Sequence, residues 1–247
     1  MPEDLYRETL DAMDTALANL SSLVPPPQAV PFGDSWVYRH VEQQTEQAIV
    51  EKLARIPSGL RAAQILYKTG FFQEQASLQR LIDEISEDII FLAIPLMYGG
   101  GKPIHEKYLK AFFEEEFDPA TGLPTVQNRP MVPRKKIRAY IAESPIGTAN
   151  PSSHITASRT LSKAYSGYVH AASPQIMEMY GGKPPQFHTK GMLGTPRELQ
   201  HRQDLANYFY RSLAAFVIAA RALGHQPVYD LLFALNKKYE IAMGIRE

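Results

Sequence analysis

The stretch FFQEQASLQRLIDEISEDIIFLAIPLMY, residues 71–98, decides the fold class. Leu78, Leu81, Ile82, Ile85, Ile89 and Leu92 recur at helical spacing and line one face, while Arg80, Asp83, Glu84, Glu87 and Asp88 fall mostly elsewhere. Upstream, residues 60–69 read as a short apolar helix ending at Gly70. Before it, a helix from Trp36 to about Ile56, capped by Asp34 or Ser35, stops at Pro57-Ser58-Gly59. Residues 3–23 form a first helix, with Leu5, Leu10, Met13, Leu17 and Leu20 at helical spacing, and PPPQAVPFG at 25–33 breaks it.

Downstream, Pro103 opens a helix over 103–117. Further helices are expected at 134–143, 152–172, 197–223 and 226–243. The segment 118–133 carries four prolines in sixteen residues and reads as a loop, either lid or linker; 181–196 is a second long loop. No alternating run is bounded by Asn-Gly or Asp-Gly turns. The expected fold is therefore all-α, a helical bundle with long irregular connections. A single helical domain over 1–247 is expected, with the helices of 3–56 a candidate appendage to a core bundle at 60–243.

The 26 basic side chains balance 26 acidic ones, which disfavours broad electrostatic capture of nucleic acid while leaving a local patch of Lys183, Lys190, Arg197 and Arg202 open. Without cysteine, a disulfide framework, a thiol nucleophile and a cysteine zinc site are excluded. The first twenty residues are acidic and amphipathic, unlike a signal peptide. The longest apolar run, IIFLAIPLM at 89–97, is nine residues with Pro95 inside, against about 20 for a membrane span. A soluble, cytoplasmic protein with no membrane partner is expected.

The candidate chemistry gathers around YSGYVHAASPQIMEMYGGKPPQFHTKG, residues 165–191. His170 closes the expected 152–172 helix, four residues after Ser166 on the same face. A histidine there is either a structural group favoured by the helix dipole or a general acid–base or phosphate contact. Arg80 and Glu84 are four apart: on a solvated face the pair is worth tenths of a kcal/mol, and facing inward it is a polar centre that needs full bonding. Tyr165, Tyr168 or His170 are candidates to complete it. MYGGGKPIH at 97–105 echoes MYGGKPPQFH at 179–188. Lys102 and Lys183 are thus candidate anion ligands beside glycine loops, although helix capping explains such loops as well. No HExxH, paired Glu-x-x-His, GxSxG or P-loop pattern occurs, and the acids of DEISED at 83–88 are spread round their helix. No metal site is expected, and no cofactor is specified.

Two segments together, LRAAQILYKTGFFQEQASLQRLIDEISEDIIFLA at 60–93 and LSKAYSGYVHAASP at 161–174, resemble an uncharacterised bacterial helical family similar to HEPN domains, four-helix nucleotide-binding or ribonuclease modules. The resemblance covers about a third of the chain and implies that Arg80, Glu84, Tyr165 and His170 lie close together. Catalytic HEPN ribonucleases carry an arginine, four to six residues, then a histidine. Here ten residues separate Arg159 from His170, and three separate Arg197 from His201 and Arg221 from His225. The departure favours a non-catalytic binding or scaffold protein, with a stress or defence role implied by the likeness. The alternatives are a phosphate-handling enzyme or ribonuclease using His170 with Arg159, Arg80 or Lys183, and a small-molecule site in the bundle gated by 118–133. An exposed apolar face on the last two helices would support a homodimer; no other partner is specified.

Overall fold

The computed structural model describes residues 3–125, 131–147, 160 and 163–244. The fold is all-α, a helical bundle with two small two-stranded sheets. In chain order the elements are α1 (Glu3–Ser21), β1 (Gln28–Phe32), β2 (Ser35–Arg39), α2 (Thr45–Lys68), α3 (Phe72–Tyr98), α4 (Pro103–Phe113), α5 (Arg134–Glu143), α6 (163–169), α7 (Ser173–Met177), β3 (Tyr180–Gly181), β4 (Gln186–Phe187), α8 (Glu198–Ala222) and α9 (Gln226–Ala242).

α3 and α8 form the centre. α3 packs against α2, α8 and α5, and α8 also packs against α9, α2 and α1. Ile82, Ile89 and Leu92 of α3 share one core with Phe209, Leu213 and Phe216 of α8. Met13, Ala16 and Leu20 of α1 are buried in the same core. No helix among the described residues is long and apolar enough to cross a membrane.

Three local expectations are corrected. Residues 36–44 are not helical: Gln28–Phe32 and Ser35–Arg39 pair antiparallel around Gly33-Asp34, a two-residue hairpin turn. The Val30↔Val37 and Phe32↔Ser35 register follows from that turn. Pro57-Ser58-Gly59 does not stop a helix; α2 runs unbroken from Thr45 to Lys68 with Pro57 inside. Burial of this stretch outweighs the lost backbone bond. A Cβ on Gly59 would lie 3.0 Å from the Ile82 side chain, so the glycine serves the close approach of α2 to α3. Finally, α4 ends at Phe113, and the loop beyond it is tied by Asp118, whose carboxylate accepts from the backbone of Ala120 and Thr121. The part of the expected lid at 126–130, and residues 152–159 and 161–162 of the expected 152–172 helix, lie outside the described residues.

Gly70 joins α2 to α3 at φ +80°, and its carbonyl accepts from Met192 N at 2.8 Å. A Cβ there would sit 2.8 Å from that same nitrogen. Gly70→Ala is expected to lower stability by about 1–3 kcal/mol, through left-handed strain and displacement of the 191–193 loop. Urea unfolding of the variant beside wild type checks this.

Candidate functional site

Each acid of DEISED meets a cation brought by another turn or helix. Among the described residues no group of three or more acidic or histidine side chains is arranged to hold a metal ion. Asp88, 3% exposed, accepts from Lys52 Nζ on α2 at 2.9 Å and from Arg134 Nη2 on α5 at 3.1 Å. Glu87 accepts from Arg138 Nε at 2.8 Å. Asp83 pairs with Arg211 on α8. Arg80 donates to Glu84 through Nη2 at 2.6 Å, and Arg134 Nε lies 3.7 Å from the second Glu84 oxygen.

The geometry explains why the network forms here. Asp83 and Glu87 are four apart, as are Glu84 and Asp88, and so are Arg134 and Arg138 on the facing helix. Two ladders of opposite charge at helical spacing meet side by side. Two adjacent carboxyls respond oppositely. Burial raises Glu87 above the ordinary carboxylate range in spite of Arg138. Burial would raise Asp88 too, but the Lys52 charge and the Arg134 hydrogen bond overcome it and hold Asp88 low.

Beside this network lie two cavities that share Tyr210 and Arg211 as a common wall. One, of about 210 Å³, is bounded by Asp83, Glu87, Arg138 and Ile141. The other, of about 250 Å³, is bounded by Tyr165, Asp204, Tyr208 and Met243. Arg211 lies 5.4 Å from the Tyr208 ring centroid, a cation–π contact that fixes its position between them. The Tyr165 hydroxyl donates to Asp204, whose carboxyl is raised by burial. Tyr165 meets Tyr208 edge-on at 5.4 Å. Burial raises both phenols well above their ordinary range. Arg138 is only 7% exposed, yet its Nη2 has no hydrogen-bond partner.

The expected site residues separate into groups. Arg80 and Glu84 are bonded and half-buried, and Arg134 lies beside Glu84. Tyr165 is buried against α8. Tyr168 donates to Glu178 Oε2 at 2.9 Å and meets the His201 ring edge-on. His170 is exposed at the end of α6, and among the described residues no hydrogen bond, ion pair or ring contact links it or Tyr165 to Arg80 or Glu84. Tyr165 and Tyr168 of α6 meet Tyr208 and His201 of α8, while Arg134 of α5 lies beside Glu84. Lys102 caps α4, its ammonium 5.1 Å from the Tyr140 ring centroid, and its backbone N–H donates to His105 Nδ1. Lys183 is exposed in the short β3–β4 hairpin. Arg159 lies outside the described residues.

Two buried histidines, His201 and His105, stack on core aromatic rings. His201 stacks on Phe72 at 4.9 Å, and burial lowers its pKa to about 4, so it stays neutral. His105 stacks on Phe91 at 4.2 Å and is likewise lowered by burial. Sequence reasoning missed Lys52, Arg134, Arg138, Asp204, Tyr208 and Arg211; the i,i+4 arginine pair at 134 and 138, set against two i,i+4 acid pairs in α3, was the available signal. No protein-family model matches this chain, and neither a curated protein nor a solved structure matches it.

Proposed function

We propose that the chain is a non-catalytic helical binding module of HEPN-like type that holds an uncharged, planar polar ligand, such as a nucleoside, in the cleft along α8. The observation that carries this reading is Arg138 Nη2, a buried donor without a partner on a residue lining the cavity. Such a group is costly when left unbonded, and a ligand carbonyl or ring nitrogen would satisfy it. The lining also favours a neutral ligand over a phosphate, because Asp83 and Glu87 already offset Arg211 and Arg138. Tyr165, Tyr208 and Tyr210 supply ring faces for stacking. Each α3 carboxylate of the network is engaged by a cation, which supports a binding role over general-base catalysis. A cytoplasmic stress or defence role rests on the HEPN likeness, and a homodimer rests on the exposed Leu231, Phe233 and Ile241 of α9.

Titration with adenosine, followed by NMR of the tyrosine rings, is expected to shift Tyr208 and Tyr210 saturably. Binding is expected to be about tenfold weaker in Tyr210→Leu and in the paired variant Arg138→Met/Glu87→Leu, which leaves no buried charge unmatched. Single-stranded RNA is expected to stay intact in the presence of the protein. Cleavage by wild type that disappears in His170→Ala would contradict the proposal and favour the phosphate-handling alternative.

A further inference from the structure

A third cavity, of about 240 Å³, opens between α1, α2 and α8 and shares no lining residue with the two beside the ion network. Tyr6, Tyr67 and Leu205 form its apolar walls. Its size suits a ligand smaller than a drug molecule. Core rings hold both phenols in place: Tyr6 lies 4.4 Å from the Phe209 centroid, and Tyr67 stacks on Phe72 at 5.7 Å. Two of the lining charges cancel, because Lys68 pairs with Glu3. The third, Arg202, is exposed and makes no hydrogen bond or ion pair among the described residues. Glu198, one turn earlier on α8, is engaged instead by the N–H of Gly194 at 2.8 Å.

The Gln64 amide and the Tyr67 hydroxyl also line the cavity, and neither has a hydrogen-bond partner among the described residues. Both side chains are only partly buried, and their polar atoms reach solvent. Tyr6 gives an independent indication of a ligand. It is 8% exposed, and its hydroxyl has no hydrogen-bond partner. Burial raises this phenol to about 12, so it keeps its proton at neutral pH. The other groups that act on it are Tyr67, Arg202 and Glu3, all of them lining residues, which places its polar end toward the cavity. A buried donor without a partner is costly, and a ligand acceptor would satisfy it.

We propose that this cavity is a binding site for a small organic carboxylate, with Arg202, Gln64 and Tyr67 donating to its oxygens and Tyr6, Tyr67 and Leu205 covering its apolar body. A guanidinium presents two parallel donors that match the two carboxylate oxygens. One lining cation without a counter-ion matches one negative charge. A phosphate dianion carries more charge than the site offsets and leaves the apolar walls uncovered, and an amide fits the walls without the charge.

The test uses the full chain, with benzoate as the probe and benzamide and inorganic phosphate as controls, followed by NMR of the tyrosine rings. Benzoate is expected to shift Tyr6 and Tyr67 saturably, and to bind at least about tenfold more tightly than either control. Arg202→Gln is expected to weaken benzoate by about tenfold with the helical circular dichroism unchanged, since the side chain is exposed and joins no ion pair. Tyr67→Phe keeps the ring and is expected to weaken it by about fivefold. Equal binding of benzamide or phosphate, unchanged affinity in Arg202→Gln, or the absence of a saturable shift at Tyr6 and Tyr67 would each overturn the proposal. The adenosine cleft is lined by other residues, so failure here leaves that reading standing.

Discussion

Replacing Asp88 with alanine is expected to destabilise the protein by about 3–5 kcal/mol, because it leaves Lys52 and Arg134 without the buried carboxylate they share. That is a large fraction of the stability of an ordinary domain. The loss has a specific cause, which a second variant isolates. In Lys52→Met/Asp88→Leu/Arg134→Met the charges go together, and much of the stability is expected to return. Urea unfolding of both variants checks this; a triple variant no more stable than Asp88→Ala would mean that packing, not unmatched charge, sets the loss. The pH dependence carries the same signature. Asp88 is held low in the folded chain, so its contribution is present above the unfolded value of about 3.9 and is lost as pH falls through the native value. Glu87 is raised, so its contribution runs the other way: present below its unfolded value of about 4.3 and lost as pH rises through the native one. Glu87→Gln is therefore expected to flatten the decline in stability above that value while leaving the acid limb in place.

The second large effect is expected at Phe91. Its ring is fully buried in α3 and holds three neighbours: His105 at 4.2 Å and Tyr108 at 5.5 Å on α4, and Tyr140 at 5.4 Å on α5. Phe91→Ala is expected to cost about 3–5 kcal/mol, combining lost burial with a cavity that rings on two helices cannot fill. Phe91→Leu should cost less, since it keeps most of the volume. Because α5 carries Arg134 and Arg138, loosening it should also weaken the ion network. Thermal unfolding reports the first effect, and protease sensitivity near residues 114–125 reports the second.

The periodicity of α3 was legible because six apolar residues repeat at helical spacing, and α1, α5, α8 and α9 were legible for the same reason. The hairpin at 28–39 was not. Its turn is Gly-Asp, the reverse of the commonest signal, and Trp36-Val37-Tyr38 leads toward a Gln- and Glu-rich stretch that does form a helix from Thr45. Pro57 and Gly59 carry local signals of a helix end, which tertiary packing overrides. At the site, Arg80 and Glu84 could be paired from spacing alone. Their true neighbour, Arg134, is fifty residues away from Glu84 and lies past a proline-rich loop, so nothing local pointed to it. His170 drew attention by composition, yet burial selected Tyr165 and Asp204 in its place.

The central claim is that the acidic face of α3 is locked to the arginines of α5. The Nε–H signal of Arg138 in a proton–nitrogen NMR spectrum at neutral pH tests it most directly, since this hydrogen donates to Glu87 within a buried pair. The signal is predicted to be sharp, slow to exchange with water and displaced by Glu87→Gln. A signal exchanging as fast as those of exposed arginines, and indifferent to Glu87→Gln, would contradict the account.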